Sequence, residues 1–138
     1  MKKLFCDIDS TINNHWERIQ RCTTNGKCDF IKAFSKEEVM KDEVLPGARE
    51  SLKELSNRYE IHFLTARDFP NAYDMTREWL NKNGFEYESI IVVNKPMDKL
   101  KYVTEAGCLF IDDLSKKHET NPPYKILYWN VIRELNKN

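Results

Sequence analysis

The sequence predicts an α/β fold built on a parallel sheet, and two patterns predict it. Short apolar runs recur along the 138 residues, at Leu4 to Ile8, Ile61 to Leu64, Ile90 to Val93, Leu109 to Ile111 and Ile126 to Trp129. Most are continuous rather than alternating, as in strands buried on both faces. Helical periodicity fills the intervals, and strand-helix-strand order calls for parallel pairing with right-handed crossovers.

Each helix has its own signals. Residues 47–58 open after Pro46 and place Ala48, Leu52 and Leu55 on one face. Residues 71–83 align Ala72, Met75, Trp79 and Leu80 and stop at Gly84, a residue suited to the left-handed turn that ends helices. Residues 98–106 follow Pro96 and end at Gly107. The tail, Asn121-Pro122-Pro123 and then Tyr124 to Trp129, reads as a last strand and a closing helix without chemistry of its own. Residues 13–45 break the rhythm. They are polar, hold Trp16 and Phe30, and offer Ser35 and Glu38 as a capping box for a helix running to about Met40. The expected architecture is a single domain over residues 1–138, a Rossmann-like parallel sheet flanked by helices, with a small helical cap insertion at 13–45 after the first strand.

Composition bounds the function. The chain is 41% hydrophobic and 32% charged with a formal net charge of zero, which suits a soluble globular protein and disfavours a nucleic-acid or membrane surface as the main partner. No apolar stretch approaches the roughly 20 residues that span a bilayer, and Asp7 interrupts the apolar run after Met1-Lys2-Lys3 too early for a signal peptide. Cys6 and Cys108 sit inside strand-like runs and read as buried hydrophobes. Cys22 and Cys28 flank a turn without the further ligands a zinc site needs, so reduced thiols and a cytoplasmic location are expected.

The chemistry concentrates at strand ends. In parallel sheets of this kind ligands bind beyond the carboxyl ends of the strands. Asp7 and Asp9 follow the first run, Thr65 and Arg67 the second, Asn94, Lys95 and Lys99 the third, and Asp112 and Asp113 the fourth. Asp7 and Asp9 point the same way from one strand end, and two such anions repel unless a cation neutralises them. A hard divalent ion with oxygen ligands would do so, leaving one carboxylate to attack and the other to shuttle a proton. An N-cap Asp followed by a turn Asp is the bland alternative.

Taken together, Asp7-Ile8-Asp9-Ser10-Thr11, Ile61 to Thr65, a later lysine, and Leu109 to Asp113 resemble, in order and spacing, the four motifs of the haloacid dehalogenase superfamily of phosphohydrolases. Leu45-Pro46-Gly47-Ala48 and Thr65-Ala66-Arg67 are similar to segments of its small nucleotidase-like members. The resemblance implies that Asp7 is the nucleophile and Asp9 the general acid and base. It also implies that magnesium is held by Asp7, the backbone carbonyl of Asp9 and Asp112, with Asp113 joining through a water or supporting the ligands from behind. Thr65 and a lysine would bind phosphate, with Ser10, Thr11, Ala66 and Arg67 lining the substrate. Lys95 follows the strand more directly, whereas the family pattern favours Lys99 for catalysis. Many members carry glycine where this chain has Ser10.

Other residues stay open. Arg67 could clamp a substrate group or pair on the surface with Asp68 or Glu78. Trp16, close to the nucleophile, could stack on a base or sugar, although packing of the insertion against the core is favoured. His62 reads as structural, His118 as solvated and Trp79 as core. The expected function is a magnesium-dependent phosphomonoesterase acting on a nucleotide or another small phosphorylated metabolite, with a phosphorylated nucleic-acid end less favoured and the oligomeric state open. The alternatives are a phosphate-accepting regulatory module and a catalytically silent binding domain. Receiver modules place the acidic pair first and lack an acid two residues past the acceptor, so Asp9 favours the enzyme.

Overall fold

The computed structural model of the chain describes residues 1–104 and 108–112, together with the backbone of 125–127. Strand β1 (Lys2–Cys6) leads into an insertion made of α1 (His15–Arg21), a two-stranded hairpin β2 (Thr23–Thr24) and β3 (Lys27–Cys28), α2 (Phe30–Ala33) and α3 (Lys36–Val39). Then come α4 (Ala48–Leu55), β4 (Tyr59–Ala66), α5 (Ala72–Lys82), β5 (Ser89–Val93), a 3-10 helix (Pro96–Lys101), β6 (Leu109–Ile111) and β7 (Lys125–Leu127). Five strands form one parallel sheet in the order β5-β4-β1-β6-β7, as the continuous apolar runs predict.

Alternation along each strand feeds two cores. Leu4, Cys6, Ile61, Phe63 and Ile111 face a layer formed by Ala48, Leu52 and Leu55 of α4 and Trp79 and Leu80 of α5. Phe5, Leu64 and Phe110 face the other way, onto Val93, Val103 and Cys108. Since both faces are covered, burial of the strands accounts for their near-unbroken hydrophobicity. β1 lies in the middle, between β4 and β6, where the chain reverses its direction of winding. Side chains leaving its carboxyl end therefore enter the crevice between two neighbouring strand ends.

Two helix signals work as the sequence suggests. Gly84 takes φ +76°, and the N–H of Phe85 donates to Leu80 O at 3.0 Å to close α5. Ser35 Oγ accepts from the N–H of Glu38 at the start of α3, while the Glu38 carboxylate turns to Arg21 and Lys41 instead of completing a box. The third expected helix differs. In place of 98–106, the described residues show only the short 3-10 helix Pro96–Lys101, started by Pro96 and by Asp98, which accepts from the N–H of Lys95 at 3.2 Å. Asp113, His118 and most of the expected last strand and helix lie outside the described residues. Among the described residues no helix is long and apolar enough to cross a membrane.

The insertion is tied to α5 and to the loop that precedes it. Trp79, 1% exposed, donates Nε1–H to the carbonyl of Asp42 at 3.0 Å, Phe34 stacks on Phe69 at 4.8 Å, and Lys36 pairs with Glu78 at 3.0 Å. Trp79→Phe removes the N–H and one of the two fused rings, so it strands the carbonyl of Asp42 and leaves a void in the core. It should cost at least about 1–3 kcal/mol in urea unfolding. An unchanged midpoint and slope would show that this bond does not hold the insertion down.

Candidate active site

Asp7 follows β1 directly, and its N–H continues the ladder onto Ile111 O at 2.8 Å. Its side chain is buried and fixed from two sides: Lys99 Nζ lies 2.8 Å from Oδ1, and Thr11 Oγ1 donates to Oδ2 at 3.1 Å. Lys99 also reaches Asp112 Oδ2 at 3.1 Å, so the ends of β1 and β6 meet at one ammonium group, carried by the 3-10 helix that follows β5. Asp7, Lys99 and Asp112 are 4%, 2% and 1% exposed, a degree of burial charged groups tolerate only when paired. Of the two candidate lysines, Lys99 stands against Asp7. Lys95 is exposed at the start of the 3-10 helix, and that helix is too short to support an anion through its dipole.

The electrostatics follow from burial. Desolvation pushes the carboxyl of Asp7 well above its usual range, with Lys99 pulling it back and Asp112 pushing it further up. Burial works against the charge on Lys99, but Asp7 and Asp112 outweigh it and hold the ammonium above its ordinary range. Among the described residues two carboxyl groups stand against one ammonium. Two hard oxygen donors on neighbouring strand ends suit magnesium, which typically takes one or two carboxylates and completes its shell with water and phosphate oxygens. Among the described residues no third acidic, histidine or cysteine side chain joins them, and Asp113 lies outside that set.

Thr65 ends the buried part of β4. Its hydroxyl is fully buried and has no hydrogen-bond partner among the described residues. An orphan donor of this kind costs about 1–3 kcal/mol unless something binds it, and a phosphate oxygen would. Ala66, partly exposed, follows it at the strand end. Ser10 adopts φ +66°, the left-handed conformation that glycine takes most easily. Its N–H donates to Asn13 Oδ1 at 2.9 Å, and its hydroxyl shares a hydrogen bond with His15 Nδ1 at 3.0 Å.

Asp9 sits in a second cluster. Arg67 grips it with two nitrogens, Nε to Oδ2 at 3.2 Å and Nη2 to Oδ1 at 2.9 Å, and Arg67 Nη1 donates to Thr76 Oγ1 at 2.9 Å. Arg67 is therefore buried on Asp9, neither pairing on the surface with Asp68 or Glu78 nor presenting a free guanidinium to substrate. Arg18 of α1, fully buried, lies 3.4 Å from Asp9 and 3.3 Å from Asp42, with Phe34 beneath its guanidinium. Asn13 Nδ2 donates to both acids, at 3.2 Å and 3.0 Å. Burial opposes the charge on Asp9, but Arg67 first and then Arg18 hold its carboxyl well below the usual range. Burial lowers His15, with Asp9 pulling the other way.

Asn13, Arg18, Asp42 and Thr76 do not stand out in the sequence. Asp42 lies within Lys41-Asp42-Glu43, which reads as a solvated charge run, and Arg18 occupies an otherwise polar helix. The only available hint is that 13–45 directly follows the acidic pair. Trp16 also differs from the favoured expectation: it is 58% exposed and does not pack the insertion against the core.

Asp42 generates a pH prediction. Burial pushes its carboxyl up to about 6, with Arg18 drawing it down and Asp9 raising it. A carboxyl raised on folding binds a proton more readily in the folded state. Its contribution to stability is therefore complete below the ordinary aspartate value of about 3.9 and fades as the pH rises through about 6. Urea unfolding of the parent and of Asp42→Asn across that window should show a shallower decline in the variant. Parallel curves would contradict the assignment.

The chain matches no protein-family model and no curated protein sequence. Solved structures do match. A haloacid dehalogenase-like family hydrolase from Streptococcus pneumoniae superposes with a TM-score of 0.65 at 14% identity, over 93% of this chain and 84% of that one. A chain of a Pnkp1/Rnl/Hen1 complex superposes with a TM-score of 0.65 at 15% identity, over 92% of this chain but 45% of that one. At such identities the likeness speaks for the fold: this chain has the architecture of a haloacid dehalogenase-like protein, with Asp7 at the end of its central strand.

Proposed function

We propose that the chain is a magnesium-dependent phosphomonoesterase that works through an aspartyl-phosphate on Asp7, acting on a nucleotide or another small phosphorylated metabolite. The observation that carries this reading is the meeting of Asp7, Lys99 and Asp112 at the end of the central strand, beside an unpartnered buried hydroxyl on Thr65. Asp7 and Asp112 would hold magnesium, with the backbone carbonyl of Asp9 and Asp113 joining as the sequence resemblance implies. The ion would supply positive charge against the phosphoryl oxygens.

In the first half-reaction an oxygen of Asp7 attacks phosphorus. The bond to the leaving oxygen breaks, and that oxygen takes a proton from Asp9, which can carry one only once its carboxylate has left the Arg67 fork that favours its ionised form. In the second half-reaction Asp9 takes a proton from water, the water oxygen attacks phosphorus, and the bond to Asp7 breaks to release inorganic phosphate. Thr11 and Lys99 orient the attacking carboxylate, and Lys99 and Thr65 bind oxygens of the transferring group. Asp9 must exchange at least one contact with Arg67 for the leaving oxygen, which makes Arg67 and, through it, Thr76 positioning residues. Reduced thiols at Cys22 and Cys28 fit a cytoplasmic enzyme.

Asp7→Asn removes the nucleophile's charge while Lys99 keeps Asp112. Phosphate release from p-nitrophenyl phosphate should fall to background, with thermal unfolding little changed. Chelation should silence the parent and magnesium restore it. Hydrolysis by the variant at the parent's rate, or full activity in EDTA, would overturn the nucleophile or the metal.

Acid catalysis matters most for a basic leaving oxygen. Asp9→Asn removes the acid. Its kcat/KM should therefore fall about 100-fold or more for an alkyl phosphate and much less for p-nitrophenyl phosphate, whose leaving group needs little protonation. Equal losses on the two substrates would mean that Asp9 does not protonate the leaving oxygen.

A further inference from the structure

Exposed apolar side chains are unevenly distributed over this molecule. Among the described residues the large ones are Met1, Trp16, Phe30, Ile31, Tyr73, Met97 and Tyr102. Trp16, Phe30 and Ile31 belong to the insertion that leaves β1, Tyr73 opens the helix that follows β4, and Met97 opens the 3-10 helix that follows β5. All five stand on segments that leave carboxyl ends of the sheet, the edge that carries Asp7.

Trp16 is linked to that site by contact. Its ring lies 4.9 Å from the ring of His15, tilted by 58°, and His15 shares a hydrogen bond with the hydroxyl of Ser10 at 3.0 Å. Ser10 follows Asp9 in the loop between the nucleophile and Thr11. The indole is thus two side-chain contacts from the loop that would cradle the phosphate, with 58% of the residue's surface open. On the same insertion, Phe30 stacks on Phe34 at 6.1 Å and 10°, and Phe34 on Phe69 at 4.8 Å and 19°. The outermost ring of this series, Phe30, is 62% exposed. Lys32, Lys36 and Lys95 are exposed on the same segments.

An exposed aromatic face linked by contact to a phosphate loop suits a ligand that carries a planar ring close to its phosphate. Sugar phosphates have no flat face to offer. We infer that Trp16 is the stacking shelf for a nucleobase whose own phosphate lies at Asp7, so that the ligand is a nucleotide, either free or at the phosphorylated end of a short strand. This rests on the phosphomonoesterase reading for the position of the phosphate, but binding tests it separately from turnover.

The experiment uses the full chain with magnesium, in an Asp7→Asn background for calorimetric binding and in the parent background for kinetics. Adenosine 5'-monophosphate, ribose 5-phosphate and a 5'-phosphorylated tetranucleotide are the probes. Trp16→Ala should weaken adenosine monophosphate binding about tenfold and leave ribose 5-phosphate within about twofold. Trp16→Phe should retain most of the affinity. Thermal unfolding should not move, since the side chain is largely exposed. Tighter binding of the tetranucleotide than of the mononucleotide, lost in Phe30→Ala, would identify the ligand as a strand end, and equal binding would identify it as a free nucleotide. Equal losses for adenosine monophosphate and ribose 5-phosphate in Trp16→Ala, no loss for either, or no binding of any nucleotide would overturn the inference. Nucleotide binding through Trp16 without phosphate release from the parent would sustain the shelf and sink the phosphatase. Turnover of both monophosphates indifferent to Trp16 would do the reverse.

Discussion

Cancellation of buried charge at the end of the central strand is the constraint on which the rest of this structure depends. Asp7 and Asp112 leave adjacent parallel strands with their side chains buried, and Lys99 pairs with both. An isolated carboxylate in such a place would protonate or open the fold. The neighbouring cluster balances itself, with Arg18 and Arg67 against Asp9 and Asp42. In the first cluster, among the described residues, two carboxyl groups share one ammonium, a set of hard oxygen donors that suits a divalent cation. Removing Lys99 would strand two buried carboxylates at a cost well beyond what the pairs contribute, whereas losing the charge of Asp7 leaves Lys99 paired with Asp112. The site and the fold are therefore one problem.

The balanced cluster also links the insertion to the catalytic loop. Arg18 bridges Asp9 to Asp42, Asn13 bonds both acids, and the carbonyl of Asp42 receives the indole N–H of Trp79. The acid that would serve as proton donor is thus positioned by α1, by the end of the insertion and by α5 together. Asp9 must yield a guanidinium contact to do chemistry, so the same network that orients it also restrains it. Substrate that draws Asp9 toward a leaving oxygen would be felt in the insertion.

Much of this was legible in the residues. Continuous apolar runs with intervening helical periods specify a parallel sheet because strands covered on both faces leave no polar alternation. The strand-end rule then picks out Asp7, Thr65 and Asp112 without any knowledge of register. What could not be read were partnerships across the chain. Asp9 meets Arg67 58 residues away and Asn13 meets Asp42 29 residues away, and no local period encodes either pair. Asp42 looks solvated within its charge run because burial there is imposed by Arg18 and Trp79, not by its neighbours in sequence. The family pattern favours Lys99 over Lys95, and the short 3-10 helix then places Lys99 against Asp7 while Lys95 is exposed. Trp16 shows the converse: a large aromatic residue suggests packing, whereas the structure leaves it open at the mouth of the site.

The central claim is that acids from both ends of the described chain converge on one cation beside a phosphoryl group. A crystal structure with magnesium and beryllium trifluoride tests it most directly. The account predicts the fluoride group attached to an oxygen of Asp7, magnesium bound by Asp7 and Asp112, and Lys99 and Thr65 on the fluorine atoms. Magnesium bound elsewhere, with Asp7 still closed on Lys99 and carrying no adduct, would contradict it.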